Sequence, residues 1–354
     1  MEENKELFIP KYFGAANSYH GFISYFDKLF DSKEYSRIYV LKGGPGTGKN
    51  SFMKKICAHF HNMNCYVEEI YCSSDPHSLD GVVVSQNNKK IAIIDGNAPH
   101  ERDAKIPGAI DELIDLGKGW DERFLLAEKN EILSLANEKA KSYKTAYYYL
   151  SIAGDSMKVI DYFTSANFDI IKAKYKAESV FKDISVKGVG NVATRLVSSF
   201  GRYGDYQLDT PSKMSDRTIT IGGKPSAAYI FLGLCRDFLE TQNANYIHFP
   251  SSLDTRKTDA IYLVDSKIAI VRGEDSDINA DSFLINSIAD DERTRVASRI
   301  YAEMLEEAKR WFVVASDFHF RIEEIYGKAM NFEMNNIILN EKIRQIENIL
   351  EIIC

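Results

Sequence analysis

Residues 37–52 read RIYVLKGGPGTGKNSF, a run of β-forming residues followed by a glycine-rich turn and the start of an apolar helix. Gly43, Gly48 and Lys49 match the spacing G-x-x-x-x-G-K of a phosphate-binding loop. Glycines let successive backbone N–H groups turn towards one anion, the lysine reaches the outer phosphates, and the helix start adds the positive end of its dipole. The stretch therefore predicts a strand, a phosphate-binding loop and a helix, in that order.

The residue that follows the lysine departs from the usual pattern. This position normally carries Ser or Thr, whose hydroxyl ligates Mg²⁺, but here it is Asn50. An amide oxygen can also ligate a hard cation, although its longer reach would shift the metal, so binding is a safer expectation than catalysis. The predicted nucleotide-binding residues are Gly43, Gly44, Pro45, Gly46, Thr47, Gly48, Lys49, Asn50 and Ser51.

A second motif lies downstream, in the run IAIID at residues 91–95. Four apolar residues predict a buried strand of a parallel sheet, and Asp95 then emerges at the edge where the phosphate-binding loop also lies. This is the Walker B pattern, and it predicts that Asp95 and Asn50 hold Mg²⁺. Many ATPases place a catalytic Glu next, but here the residue is Gly96, so His100 is the candidate base. The predicted catalytic residues are Lys49, Asp95 and His100.

The hydrophobic pattern around these motifs predicts alternating strands and helices. We expect a helix over residues 49–61, strands over residues 65–72, 81–84 and 91–95, and helical structure from about residue 111 to residue 182. The long helical region carries one apolar stripe at spacings of three, four and seven, formed by Leu125, Ile132, Ala136, Ala140, Tyr143, Tyr147 and Leu150.

The second half of the chain is similar to the first. YVLKGGPGTGKNSFM from Tyr39 aligns with TITIGGKPSAAYIFL from Thr218, and further pairs follow in the same order, including IAII from Ile91 with IAIV from Ile268. Order preserved over this length predicts an internal duplication. The expected fold class is α/β, with duplicated P-loop NTPase-type parallel sheets, each followed by a long helical segment. The expected domains are residues 1–192 and residues 193–354.

The second copy lacks the residues on which this chemistry depends. With the glycines aligned, Lys49 corresponds to Ala228, and Asp95 corresponds to Arg272. Alanine carries no charge to meet a phosphate, and arginine cannot ligate a cation, so neither residue can replace its counterpart. We expect a degenerate, non-catalytic copy. The alternative is that Lys224 or Arg272 reaches the nucleotide of the first copy as an arginine-finger-like group.

Three segments together resemble a known family. They are LKGGPGTGKNSFMKKI, YCSSDPHSLDGVVV, and IAIIDGNAPH followed by IPGAIDELIDLG. They look like an uncharacterised bacterial family of tandem P-loop ATPases, and the resemblance covers most of the chain. It implies nucleotide binding and implies little about a substrate. The family pattern has Ser or Thr where this chain has Asn50, and Thr where it has Asn97, and both departures lie beside the expected metal.

Composition limits the class of protein. The chain has 354 residues, of which 45% are hydrophobic and 27% charged, as expected for a soluble globular protein of two domains. A net charge of −7 gives no general basic surface for nucleic acid. The five cysteines form no C-x-x-C pair, and we see neither a signal segment nor a membrane-spanning run. We expect a cytoplasmic protein without a membrane or nucleic-acid partner, and a protein partner or homo-oligomer stays open.

The leading functional hypothesis is an ATP-binding protein that uses ATP and Mg²⁺. The first half would hydrolyse the nucleoside triphosphate slowly to drive a conformational change, and the second half would be structural.

Two alternatives remain open. A nucleotide or nucleoside-type kinase would need an acceptor pocket near His77 and Asp103 and an arginine-bearing lid, for which Arg102 and Arg123 are the candidates. A non-hydrolysing ATP sensor or scaffold is favoured by Asn50, Gly96 and Asn97.

Overall fold

The protein is mixed α/β, with two six-stranded sheets and long helices after each sheet. The computed structural model describes residues 8–186, 188–285 and 292–352. The strands are β1 (Lys11–Phe13), β2 (Ala15–Ser18), β3 (Gly21–Ser24), β4 (Arg37–Lys42), β5 (Tyr66–Tyr71), β6 (Leu79–Gln86), β7 (Lys89–Asp95), β8 (Asp111–Asp115), β9 (Val192–Thr194), β10 (Ser198–Gly201), β11 (Gly204–Gln207), β12 (Arg217–Gly222), β13 (Tyr246–Pro250), β14 (Thr258–Leu263), β15 (Ile268–Arg272) and β16 (Ile278–Asn279).

The α-helices include two of unusual length, α4 and α8. The described α-helices are α1 (Phe26–Leu29), α2 (Lys49–Asn62), α3 (Glu122–Ala127), α4 (Lys129–Ala166), α5 (Ile170–Val180), α6 (Thr210–Met214), α7 (Pro225–Thr241), α8 (Glu292–Lys328) and α9 (Phe332–Ile349). The predicted helix over residues 49–61 and the three predicted strands are confirmed as α2, β5, β6 and β7.

The first sheet has the strand order β1-β5-β6-β7-β4-β8. It was expected to be parallel, and this was wrong for β6, which runs antiparallel to β5 and β7. The reason lies in the connections, because short links join antiparallel neighbours whereas parallel strands need long crossovers. Only Asn87 and Asn88 separate β6 from β7, and their φ angles of 51° and 59° form a tight hairpin turn.

The second sheet repeats this order. Read from β9 it is β9-β13-β14-β15-β12-β16, and β14 is again the strand that runs antiparallel to both neighbours. The prediction of helical structure from residue 111 was wrong at its start. Residues 111–115 form β8, which pairs in parallel with β4, and the first α-helix after it begins at Glu122.

Contacts divide the chain into two compact units that are not continuous in sequence. The first unit joins residues 24–145 with the described residues before 16 and after 309. The second unit comprises residues 16–23 and the described part of 146–309. This grouping differs from the expected division into residues 1–192 and 193–354, because the boundaries fall inside the long helices α4 and α8.

The core of the first unit is completed by the last helix of the chain. Leu339 and Ile346 of α9 pack in one apolar cluster with Tyr39 of β4 and Phe60 of α2. Lys342 on the same helix places its Nζ 2.6 Å from Glu112 Oε1 on β8. Helix α9 is therefore an integral part of the layer over the first sheet.

The second unit has a matching core. Ala173 and Ala177 of α5 pack with Phe231 and Leu232 of α7 against the second sheet. Small residues on α5 allow the two helices to approach closely.

The predicted apolar stripe on α4 is displaced. Of the seven residues predicted, only Leu150 is fully buried, because alanine and serine line much of the buried face and carry little hydropathy signal. The buried residues of α4 are Leu135, Ser142, Ala146, Leu150, Ala153, Gly154, Met157 and Thr164.

The β6–β7 turn can be tested by substitution at the exposed residue Asn88. We expect Asn88→Val to lower the free energy of unfolding by about 1–2 kcal/mol, because a β-branched residue tolerates positive φ poorly. Asn88→Gly should be neutral or stabilising, since glycine suits this turn position. Urea denaturation measures both. Equal loss in the two variants would contradict the turn geometry.

Candidate functional site

The site is built on the connection between β4 and α2, residues 43–48, here called the glycine loop. β4 ends at Lys42 and α2 begins at Lys49. Gly43, Gly46 and Gly48 have φ angles of 150°, 74° and 84°, which side-chain-bearing residues adopt rarely. The loop is closed internally by Thr47, whose Oγ1 donates to Gly44 O at 2.8 Å. These glycines are therefore needed for the path of the backbone.

Lys49 lies across the loop. Its Nζ donates to Gly43 O at 2.6 Å and to Gly44 O at 2.8 Å, and it lies 3.7 Å from Asp95 Oδ2. The side chain is only 12% exposed. The predicted residues Lys49 and Asp95 are thus brought together, and the ammonium is held at the mouth of the glycine loop.

Asp95 reaches the loop because β7 pairs in parallel with β4, with Asp95 opposite Leu41. Its Oδ1 accepts hydrogen bonds from the backbone N and the side-chain Nδ2 of Asn97, at 2.9 and 2.7 Å. Burial raises the pKa of Asp95, the carboxylate of Asp80 adds to the rise, and Lys49 and Asn97 oppose it. A cation beside Asp95 would favour its charged form.

Gly96 has a steric reason to be glycine. A Cβ at this position would lie 2.3 Å from Val40 Cγ1 and 3.0 Å from the backbone oxygen of Arg102. The catalytic Glu found at this position in many ATPases therefore does not fit here without displacement of β4.

Asn50 is engaged in the fold. Its Oδ1 accepts a hydrogen bond from the backbone N of Leu79 at 3.1 Å, so one of its two lone pairs is used to join α2 to the start of β6. Ser51 is exposed on α2.

His100 is placed away from solvent. Its side chain is 4% exposed, its Nε2 lies 3.0 Å from Asp80 Oδ2, and its ring stacks on Phe26 with centroids 4.1 Å apart. Asp80 in turn interacts electrostatically with Asp95. This position suits holding the loop that leaves β7.

The residues proposed for a kinase lid have other partners. The guanidinium of Arg102 is 3% exposed, donates to Phe30 O at 2.6 Å and lies 3.4 Å from Asp111 Oδ1. Arg123 is exposed on α3. At the suggested acceptor loop, Asp75 Oδ1 accepts from the backbone N of His77 at 3.0 Å, which is an ordinary turn contact.

The last turns of α8 and the first turns of α9 cover the glycine loop. Asn335 Nδ2 donates to Thr47 O at 2.7 Å. A Cβ on Gly44 would touch the ring of Tyr326, and a Cβ on Gly46 would lie 2.4 Å from the backbone oxygen of Glu323. Sequence reasoning missed these residues, because they lie far along the chain and no spacing connects them to the loop.

The described part of the second unit has no equivalent loop. Only Gly223 and Lys224 lie between β12 and α7, where six residues lie between β4 and α2. The bond from Gly96 N to Leu41 O has its counterpart in that from Gly273 N to Ile221 O. Ile221 therefore takes the place of Leu41, one residue from the expected alignment, so Ala228 is not the positional counterpart of Lys49.

Arg272 ends β15, as Asp95 ends β7. Its Nε lies 3.3 Å from Asp259 Oδ1 and its guanidinium lies over the ring of Tyr229. Burial alone would lower the pKa of Arg272, but Tyr229 and Asp259 raise it. Asp259 is 1% exposed and also accepts from Ser198 Oγ at 2.6 Å. An internal ion pair therefore fills this position.

The side chains at the site can be compared with the ligands that Mg²⁺ needs. The described residues contain no group of three or more His, Cys, Asp and Glu side chains able to hold an ion alone. Mg²⁺ bound with a nucleotide needs only one or two carboxylates, since phosphates and water supply the remaining ligands. Asp95, whose side chain is 19% exposed and interacts with Asp80, fits that requirement, and Asn50 retains a second lone pair.

Comparisons with protein-family models, with curated proteins and with solved structures found no match for this chain. Across the three described stretches, every helix is too short or too polar to cross a bilayer. The thiols of Cys57, Cys65, Cys72 and Cys235 are free, and Cys354 lies outside the described residues.

Arg102 provides a test that separates a structural role from a catalytic one. We expect Arg102→Met to lower the free energy of unfolding by about 3–5 kcal/mol, because it leaves the buried carboxylate of Asp111 without its cation. The matched variant Arg123→Met, at an exposed site, should change it by less than about 0.5 kcal/mol. Chemical denaturation measures both. A stable Arg102→Met variant would contradict this assignment.

Proposed function

We propose that the glycine loop binds the phosphates of ATP, so that the first unit is a P-loop nucleotide-binding domain. The observation that carries the proposal is the meeting of Lys49 and Asp95. An ammonium at the loop mouth lies 3.7 Å from a carboxylate that ends the neighbouring parallel strand. P-loop proteins use these two groups for the outer phosphates and for Mg²⁺.

The electrostatics of the loop support an anionic ligand. α2 is 14 residues long, and its N-terminus carries the positive end of the helix dipole together with unpaired backbone donors. Lys49 adds a full positive charge at the same place. Phosphate groups are favoured at such a position over neutral ligands.

We propose that ATP hydrolysis is slow. Gly96 has no room for the usual catalytic Glu, and His100 is buried and paired with Asp80. These features reduce the means of activating water, while leaving Lys49 and Asp95 to bind nucleotide and Mg²⁺.

A non-hydrolysing ATP sensor is the second candidate, and the hydrogen bond between Leu79 N and Asn50 Oδ1 favours it. A side chain that joins α2 to β6 has a structural reason to be Asn and is less available to a metal. The kinase alternative lost support, because Arg102 is buried in an ion pair with Asp111.

We also propose that the two units descend from a duplication and that the second is non-catalytic. The shared strand order and the matching antiparallel strands β6 and β14 support a common origin. The short connection at Gly223 and the ion pair of Arg272 with Asp259 support the loss of nucleotide binding. In each core a helix from the other side of the expected boundary at residue 192 joins the local helix, with α9 beside α2 in the first and α5 beside α7 in the second.

Nucleotide binding is tested by thermal melting of Lys49→Ala. With ATP at about 100-fold above its dissociation constant, wild type should gain about 2.7 kcal/mol of stability. The variant should lose this gain, because the charge that meets the phosphates is gone. Lys54→Ala removes an exposed lysine from the same helix and should behave as wild type. Unchanged stabilisation of Lys49→Ala would show that the glycine loop is not the site.

The slow-hydrolysis proposal is tested by Asn50→Ser. A serine hydroxyl restores the usual Mg²⁺ ligand, so we expect ATP turnover to rise above that of wild type. The variant also loses the bond to Leu79 N and should be less stable by about 0.5–1.5 kcal/mol. Phosphate release and urea denaturation measure the two effects. If wild type turns over ATP and the substitution lowers this rate, Asn50 is instead a functional Mg²⁺ ligand.

A further inference from the structure

Glu323, near the end of α8, lies against the glycine loop. Its backbone oxygen is so close to Gly46 that a Cβ there would overlap it. Its carboxylate interacts with the backbone N–H of Gly46 and with the ammonium of Lys49, and both interactions lower the pKa of Glu323. On the same helix, His319 Nε2 lies 3.5 Å from Glu323 Oε1.

The surroundings of this carboxylate favour its charge. Burial alone would raise the pKa of Glu323, but His319, Lys49 and the Gly46 amide lower it. Lys139 of α4 also interacts with Glu323, and burial lowers the pKa of that lysine. Glu323 is therefore an anion held by an amide of the loop and by three neighbouring basic side chains.

A carboxylate and a phosphate compete for the same donors. Gly46 N–H and Lys49 are groups through which a glycine loop of this type binds phosphate oxygens. These two groups cannot bind the Glu323 carboxylate and a nucleotide phosphate fully at the same time. Two anions beside one lysine also repel each other.

We propose that Glu323 is an internal anion that competes with the phosphates of the nucleotide for the glycine loop. This inference rests on the proposed function, and it adds an autoinhibitory contact to it. Nucleotide binding then requires the carboxylate to leave Gly46 and Lys49.

The structure allows this displacement. The Glu323 side chain is 40% exposed, so its carboxylate already borders solvent and can rotate towards it. Covering contacts from Asn335 to Thr47 and from Tyr326 to Gly44 do not involve this carboxylate. The contacts of Asn335 and Tyr326 with the glycine loop therefore remain when the Glu323 carboxylate moves away.

The test compares Glu323→Gln with wild type by isothermal titration of ATP in the presence of Mg²⁺. Glutamine keeps the shape and the helix propensity and removes the charge. We expect ATP to bind the variant about tenfold more tightly, the equivalent of one charge-assisted hydrogen bond that no longer has to be displaced. Inorganic pyrophosphate should show the same gain, because the competition concerns phosphates alone.

Glu324→Gln is the matched control. It removes the same charge from the next residue, whose carboxylate pairs with Lys328 in solvent. Its affinity for ATP should equal that of wild type. Melting of all three proteins without ligand verifies that each is folded.

The outcomes separate the two proposals. Equal ATP affinity in wild type and Glu323→Gln, with loss of binding in Lys49→Ala, would overturn the competition and leave nucleotide binding intact. Lower turnover at unchanged affinity would make Glu323 a catalytic base, and would likewise overturn it. Failure of every folded variant to bind ATP would overturn the proposed function itself.

Discussion

Leu41 lies opposite Asp95 in the parallel pairing of β4 with β7, and Gly96 N donates to Leu41 O just beyond it. This register ends both strands at one edge of the sheet, so the glycine loop and the carboxylate emerge side by side. A slip of the pairing would carry Asp95 away from Lys49. The same packing explains Gly96, because the strand approaches Val40 too closely for a side chain. One backbone register thus determines which groups can meet at the site and which catalytic residue is excluded.

The sequence predicted the parts of this site that are local. The glycine loop, α2 and β7 each have a short pattern with a direct physical meaning, and each was found where expected. β1 and β8 were missed as elements, because strands of three and five residues give little periodicity. Glu323 and Asn335 could not be predicted at the loop, since only the tertiary fold brings them there. The alignment of β12 with β4 was wrong by one residue, because an ungapped alignment does not show that the connection before α7 is shorter than the glycine loop.

The two strand ends that carry Asp95 and Arg272 illustrate opposite uses of buried charge. Asp95 is only partly compensated, because Lys49 is shared with the carbonyl oxygens of the loop. Arg272 is paired with Asp259 and lies over the ring of Tyr229. A buried pair that neutralises itself adds little reason to bind a further ion, whereas an imbalance favours one. The binding that we propose for the first unit therefore depends as much on incomplete pairing as on the identity of its residues.

The packing of these two cores affects the order in which the two sheets can fold during synthesis. Tyr39 and Phe60 share a cluster with Leu339 and Ile346, so the first sheet lacks part of its covering layer until the ribosome has synthesised α9. The second sheet finds its helix α5 already synthesised. Vectorial synthesis would thus allow the later sheet to mature before the earlier one, with the apolar face of the nascent N-terminal sheet exposed to chaperones in the meantime.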